Sequence, residues 1–173
     1  MSTITAVRRR AQSLLQEIGI HQVPVDVFAV TTYLGLDVLA EALDPSTSGV
    51  LVVGSEHAVI GVNQQHHRRR QRFTIAHELA HYVLHRQASN VFVDSTLTFH
   101  RNKTSAEGVD RQEVEANAFA AELLMPEGLL KKYWESQQFD LYDDVALARL
   151  AARFDVSEQA LTIRLMNLRL VEG

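Results

Sequence analysis

Five residues, His77-Glu78-Leu79-Ala80-His81, constrain this chain more than any other feature. They fall in a stretch from about Gln71 to His85 that carries Phe73, Ile75, Ala76, Leu79, Ala80, Tyr82, Val83 and Leu84 nearly all round a helical circumference, the pattern of a buried helix. Two imidazoles and a carboxylate on such a helix are costly to bury without a partner, and a metal ion supplies one. Residues four apart differ by ~40° around the axis and ~6 Å along it, so both imidazoles can close on one ion at ~2.1 Å. Glu78 points ~100° away from His77, beside the ion rather than on it, where a general base takes a proton from water. The bare pattern is expected by chance about 0.025 times in a chain of this composition, so its weight comes from the apolar helix around it. The bland alternative is a pair of core histidines bonded to backbone.

A catalytic zinc takes a third protein ligand and leaves one position open. The chain has no cysteine, so histidine and carboxylate are its only strong ligands. His85 lies ~12 Å along the axis from His77, too far to share the ion, and reads as packing or as support for a ligand. The longer H-E-x-x-H-x-x-G-x-x-H pattern is excluded, because Leu84 and Gln87 stand where it needs Gly and His. A predicted helix from Val109 to Met125 offers Glu113 or Glu115, which lie ~200° apart around its axis, so one of the two faces the ion. Glu113 is favoured, since Asn117 follows on the same face and can orient a ligating histidine, while Glu115 has Arg111 as a partner one turn back. Alanines at 116, 118, 120 and 121 keep this helix slim enough for a close crossing.

The rest of the pattern predicts an α+β chain. Helices are expected over Thr3 to Ile18 and Val25 to Leu34, a strand over Leu36 to Ala42, and an antiparallel hairpin from Gly49–Gly54 and Ala58–Val62. The strand near Ala58 to Asn63 is expected at a sheet edge, free to take an extended peptide. Gln87 to Gly108 reads as a long surface loop. Residues 1–126 form the main domain in this reading, and residues 127–173 a helical extension in which Asp144–Arg153 and Ser157–Asn167 have a helix-turn-helix silhouette. Residues 145–173 hold four bases and three acids, which is thin for binding DNA through 145–170. The whole chain carries 17 Lys and Arg against 21 Asp and Glu, a net of −4, which argues against a protein built to wrap nucleic acid or coat a membrane. The basic run from His66 to Arg72 reads as a solvated loop and polar first turn, or as a docking patch for an acidic partner or nucleic acid. No apolar run exceeds four residues, so neither a membrane span nor a secretory signal is expected, and the expected location is the cytoplasm.

The segments Arg72-Phe-Thr-Ile-Ala-His-Glu-Leu-Ala-His-Tyr-Val-Leu-His85 and Glu113-Val-Glu-Ala-Asn-Ala-Phe-Ala-Ala-Glu-Leu-Leu-Met-Pro126 together resemble the ImmA/IrrE metallopeptidases, zincin-like proteins of bacteria and their mobile elements. The likeness covers roughly residues 20–126, and Ala80 stands where that family usually has Gly. It implies a zincin-like α+β fold, zinc on His77, His81 and Glu113, and Glu78 as the base. It also implies site-specific cleavage of a helix-turn-helix repressor; the alternative is a zinc-containing regulator that binds a repressor or DNA without cutting.

Overall fold

The computed structural model describes residues 3–95, 103–136 and 144–171. Its β-branched runs pair into one mixed sheet. Strands β1 (Leu36–Glu41), β2 (Thr47–Val53), β3 (Ala58–Asn63) and β4 (Val91–Ser95) lie in the spatial order β1-β3-β2-β4. The expected hairpin is present, with Leu51 opposite Ile60, and β1 runs parallel to β3 with Leu36 opposite Ala58. β3 is therefore an interior strand paired on both sides, and the edge expected at Ala58 to Asn63 does not exist. The edge beside β2 belongs to β4, inside the stretch expected to be loop. Val91-Phe92-Val93 has strong strand propensity but is too short for a period to stand out among Ser and Asn neighbours. Residues 96–102 of that stretch lie outside the described residues.

Five residues join β1 to β2, and they must pass over the end of β3. Buried Asn63 makes this possible: its amide donates to the carbonyls of Leu43 (3.4 Å), Asp44 (3.2 Å) and Thr47 (3.0 Å). One face of the sheet buries Leu36, Leu51, Ala58, Ile60 and Val62. The other face shows Leu39, Val52, Val91 and Val93 to solvent.

Helices α1 (Thr3–Ile18), α2 (Val27–Leu34), α3 (Arg68–Ala80) and α4 (Lys103–Leu124) form the layer on the buried face, with α4 beginning earlier than its alanine pattern suggested. α1 turns Val7, Ala11, Leu14 and Leu15 inward at helical spacing. α3 continues into a π-helical turn, His81–His85. Helices α5 (Glu127–Ser136), α6 (Asp144–Phe154) and α7 (Glu158–Asn167) follow, and Leu130, Leu150, Phe154, Leu161 and Leu165 join the same apolar cluster as Leu14, Ile60 and Leu79.

Two polar ties fasten these last helices to the layer. Asp155, in the left-handed conformation at φ +53°, accepts from Arg68 (2.7 Å), Arg69 (3.4 Å) and Arg72 (3.1 Å). The basic run thus meets an acid from the far end of the chain, which supplies the negative charge missing from the first turn of α3. Arg72 also donates to the Val25 carbonyl at 2.9 Å, and Arg70 to Ser48 Oγ at 2.9 Å. The second tie is an ion pair between Arg164 of α7 and Glu122 of α4, both fully buried. Arg164 further donates to the Met125 carbonyl at 3.1 Å, while Glu122 accepts from Gln12 (2.8 Å) and from the Glu127 N–H (3.0 Å). One carboxylate therefore joins α1, α4, α5 and α7. Among the described residues, no helix is long and apolar enough to cross a membrane.

Removing one member of such a pair strands the other charge in the core, whereas replacing both by apolar residues does not. Glu122→Leu should lower unfolding stability by about 3–5 kcal/mol, and Glu122→Leu with Arg164→Met should recover most of it, read by urea denaturation.

Candidate metal centre

α3 and α4 pack against each other, and Ala76, Ala80, Ala116 and Ala120 on these two helices are all wholly buried. At this crossing His77 Nε2 lies 3.1 Å from Glu113 Oε2, and His81 Nε2 lies 3.2 Å from Glu113 Oε1. The two Nε2 atoms are 3.1 Å apart. Bonds of ~2.1 Å at tetrahedral angles separate neighbouring ligand atoms by ~3.4 Å, so this triangle is close to the size that a zinc-sized cation needs. Both imidazoles are buried, while the Glu113 side chain keeps 40% of its exposure and leaves the triangle open on one side.

Each ring is oriented from behind. His77 Nδ1 meets Asn117 Oδ1 at 3.1 Å, which places Asn117 one turn beyond Glu113 and on the same ring. Phe92 of β4 stacks on His81, with centroids 4.7 Å apart at 22°. His85 stands outside the triangle, as its distance along the helix requires, and Glu115 meets His85 and Arg111 rather than the triangle.

Glu78 is wholly buried, and neither carboxylate oxygen has a hydrogen-bond partner. Burial, against the pull of His77 and helped by the charges of Asp94 and Glu113, pushes its carboxyl up to about 8. A cation beside it would favour the ionised form that burial opposes, so the donor set and the unpartnered carboxyl both fit a bound metal. Burial also opposes ionisation of Glu113, but its close contacts with the imidazoles of His77 and His81 outweigh it and hold this carboxyl well below the usual range. Burial lowers the pKa of His81; for His77 it is overcome by Glu113 and Glu78, and the pKa rises.

Three participants escaped the sequence reading. Phe92 and Asp94 lie on the unforeseen β4, whose one signal was the Val-Phe-Val run. Gly49 of β2 is the third: a Cβ there would come within 2.3 Å of Thr74 Cγ2 and 3.2 Å of Glu78 Oε1. Only glycine lets α3 lie this close to the sheet.

Residues 31–166 match a peptidase family model described as IrrE N-terminal-like domain. The chain is 30% identical over 136 residues to a protein of Bacillus phage phi105 called uncharacterized immunity region protein 2, covering 76% of this chain and 80% of that one. A solved structure titled Mycobacterium tuberculosis transcriptional regulator superposes with a TM-score of 0.65 at 21% identity, over 92% of this chain, and so shares the fold. The chain spans 55% of the length of that structure.

Gly49→Ala should destabilise the chain by about 1–3 kcal/mol, the usual penalty for an overpacked methyl. Adding Thr74→Ser, which removes the clashing Cγ2, should return part of the loss in thermal denaturation.

Proposed function

The chain belongs to the peptidase family of IrrE N-terminal-like domains, and from that premise we propose that it is a zinc-dependent endopeptidase that cuts a helix-turn-helix transcriptional repressor. One observation carries the reading: two imidazole nitrogens and a carboxylate converge within 4.8 Å of one another, adjoining a buried acid that has no other partner. His77, His81 and Glu113 would hold the ion. Zinc bound there supplies a Lewis acid that polarises a peptide carbonyl and acidifies water.

The chain's own residues do the rest. Glu78 takes a proton from the attacking water and hands it to the leaving amine, and its dry surroundings make it a stronger base than an exposed carboxylate. Asn117 accepts the Nδ1 proton of His77 and so keeps the Nε2 lone pair facing inward. Substrate enters on the side where Glu113 is exposed. β4 is a sheet edge with Phe92 on the ring of His81, so an extended peptide adding to that edge runs past the reacting groups. The phage relative's description as an immunity region protein supports a regulatory protein as substrate.

The rival, a zinc-holding regulator that acts on DNA through residues 145–170, is disfavoured because two of the four bases in that segment are already engaged. Arg164 is sealed against Glu122, and Arg153 lies 4.1 Å from the centroid of the Tyr133 ring while donating to its hydroxyl.

Zinc-loaded chain incubated with candidate helix-turn-helix repressors should yield discrete fragments on a gel, and a chelator should abolish them until zinc is returned. Glu78→Gln should retain stoichiometric zinc and lose about 10²–10⁴ of the cleavage rate. Wild-type cleavage by Glu78→Gln would remove the enzymatic reading.

A further inference from the structure

We propose that His85 and Glu115 are a positioning pair that draws the ring proton of His81 to Nδ1 and so clears Nε2 for the metal. The inference rests on the reading that His77, His81 and Glu113 hold the cation. It comes from a row of side chains that the peptidase chemistry leaves unused.

His81 Nδ1 lies 3.2 Å from His85 Nδ1, His85 Nε2 lies 3.0 Å from Glu115 Oε2, and Glu115 Oε1 accepts from Arg111 Nε at 3.0 Å. Each link fixes the next. A carboxylate that serves a guanidinium offers only lone pairs, so the ring nitrogen of His85 facing it must donate. A neutral imidazole has one N–H, and with that proton on Nε2 its Nδ1 is an acceptor. Two Nδ1 atoms can then share a hydrogen bond only if His81 carries its proton on Nδ1. The other nitrogen, Nε2, is left bare, and it is the atom that faces His77 and Glu113.

The alternative arrangement blocks the site. A proton on His81 Nε2 would point at Glu113 Oε1, 3.2 Å away, and occupy the space a cation needs. By offering an acceptor on the opposite side, His85 makes it easier to vacate that space. The row is shielded, since His81 and His85 are buried and Glu115 keeps 12% of its side-chain exposure. The π-helical turn contributes the alignment. A wider turn rotates each residue by less than the ~100° of an α-helix, which offsets the drift of residues spaced by four and keeps His85 below His81.

The 173-residue chain labelled with ¹⁵N-histidine and loaded with zinc tests this by NMR, through long-range proton–nitrogen correlations in the imidazole rings. His85 should carry its proton on Nε2 alone, and the Nδ1 proton of His81 should exchange slowly with water. Glu115→Ala changes a residue at the surface end of the row. It should speed that exchange and weaken zinc binding about 10–100-fold in competition with a chromophoric chelator. Glu115→Gln, whose amide oxygen still accepts from His85, should restore most of both. A His85 proton on Nδ1, or Glu115→Ala with unchanged zinc affinity, would overturn the proposal, as would a loss of thermal stability with no change in proton exchange. Glu113→Ala separates the two levels of inference. Full zinc affinity in that variant sinks the metal centre itself, whereas loss of zinc there with none in Glu115→Ala sinks only the positioning pair.

Discussion

The close approach of α4 to α3 is what all three candidate ligands depend on. Helices pack at 8–10 Å depending on the side chains between them, and here the two helices bury the small residues Ala76, Ala80, Ala116 and Ala120. Bulkier residues would carry Glu113 out of reach of the imidazoles. The opposite side of α3 is under a matching constraint, since Gly49 lets the sheet come up against Thr74 and Glu78. α3 is therefore held between a glycine of the sheet and the alanines of a helix. Its ligands project toward one neighbour and its unpartnered acid lies against the other.

The parts of this site that could be read from sequence are those that depend on spacing along one helix. His77 and His81 project together because residues four apart do so, and the offset between Glu113 and Glu115 separates the residue that meets the triangle from the one that meets His85. Asn117 follows from the same rule. Other features needed distances that no local pattern contains. The basic run that opens α3 reads as solvated from sequence because its counter-charge, Asp155, lies 87 residues beyond Arg68. Glu122 had the look of an ordinary helix acid until Arg164 arrived from 42 residues away. The π-helical turn leaves no mark in residue type. β4 is short, and the interior place of β3 depends on β1 pairing parallel to it, which alternation alone does not specify.

Both ligand-bearing helices are tied to the chain's C-terminal helices, each by a different charge. Asp155 gathers the arginines at the start of α3, and Arg164 grips α4 through Glu122, ~13 Å along the same rod from Glu113. The distance at which two helices present their ligands is thereby braced from outside the crossing. This places buried charge where it defines position, at a cost in desolvation that the surrounding hydrogen bonds offset.

The order of strands bears on how the molecule comes into being. β1 and β2 emerge first, yet neither pairs with the other; both wait for β3, which is made later and takes the gap between them. During synthesis two strands therefore stand open at once, with their backbone groups unmatched, until Asn63 arrives to lock the bridging loop above. The sheet fills from its middle, and until β3 is made the facing edges of β1 and β2 lack the strand that separates them.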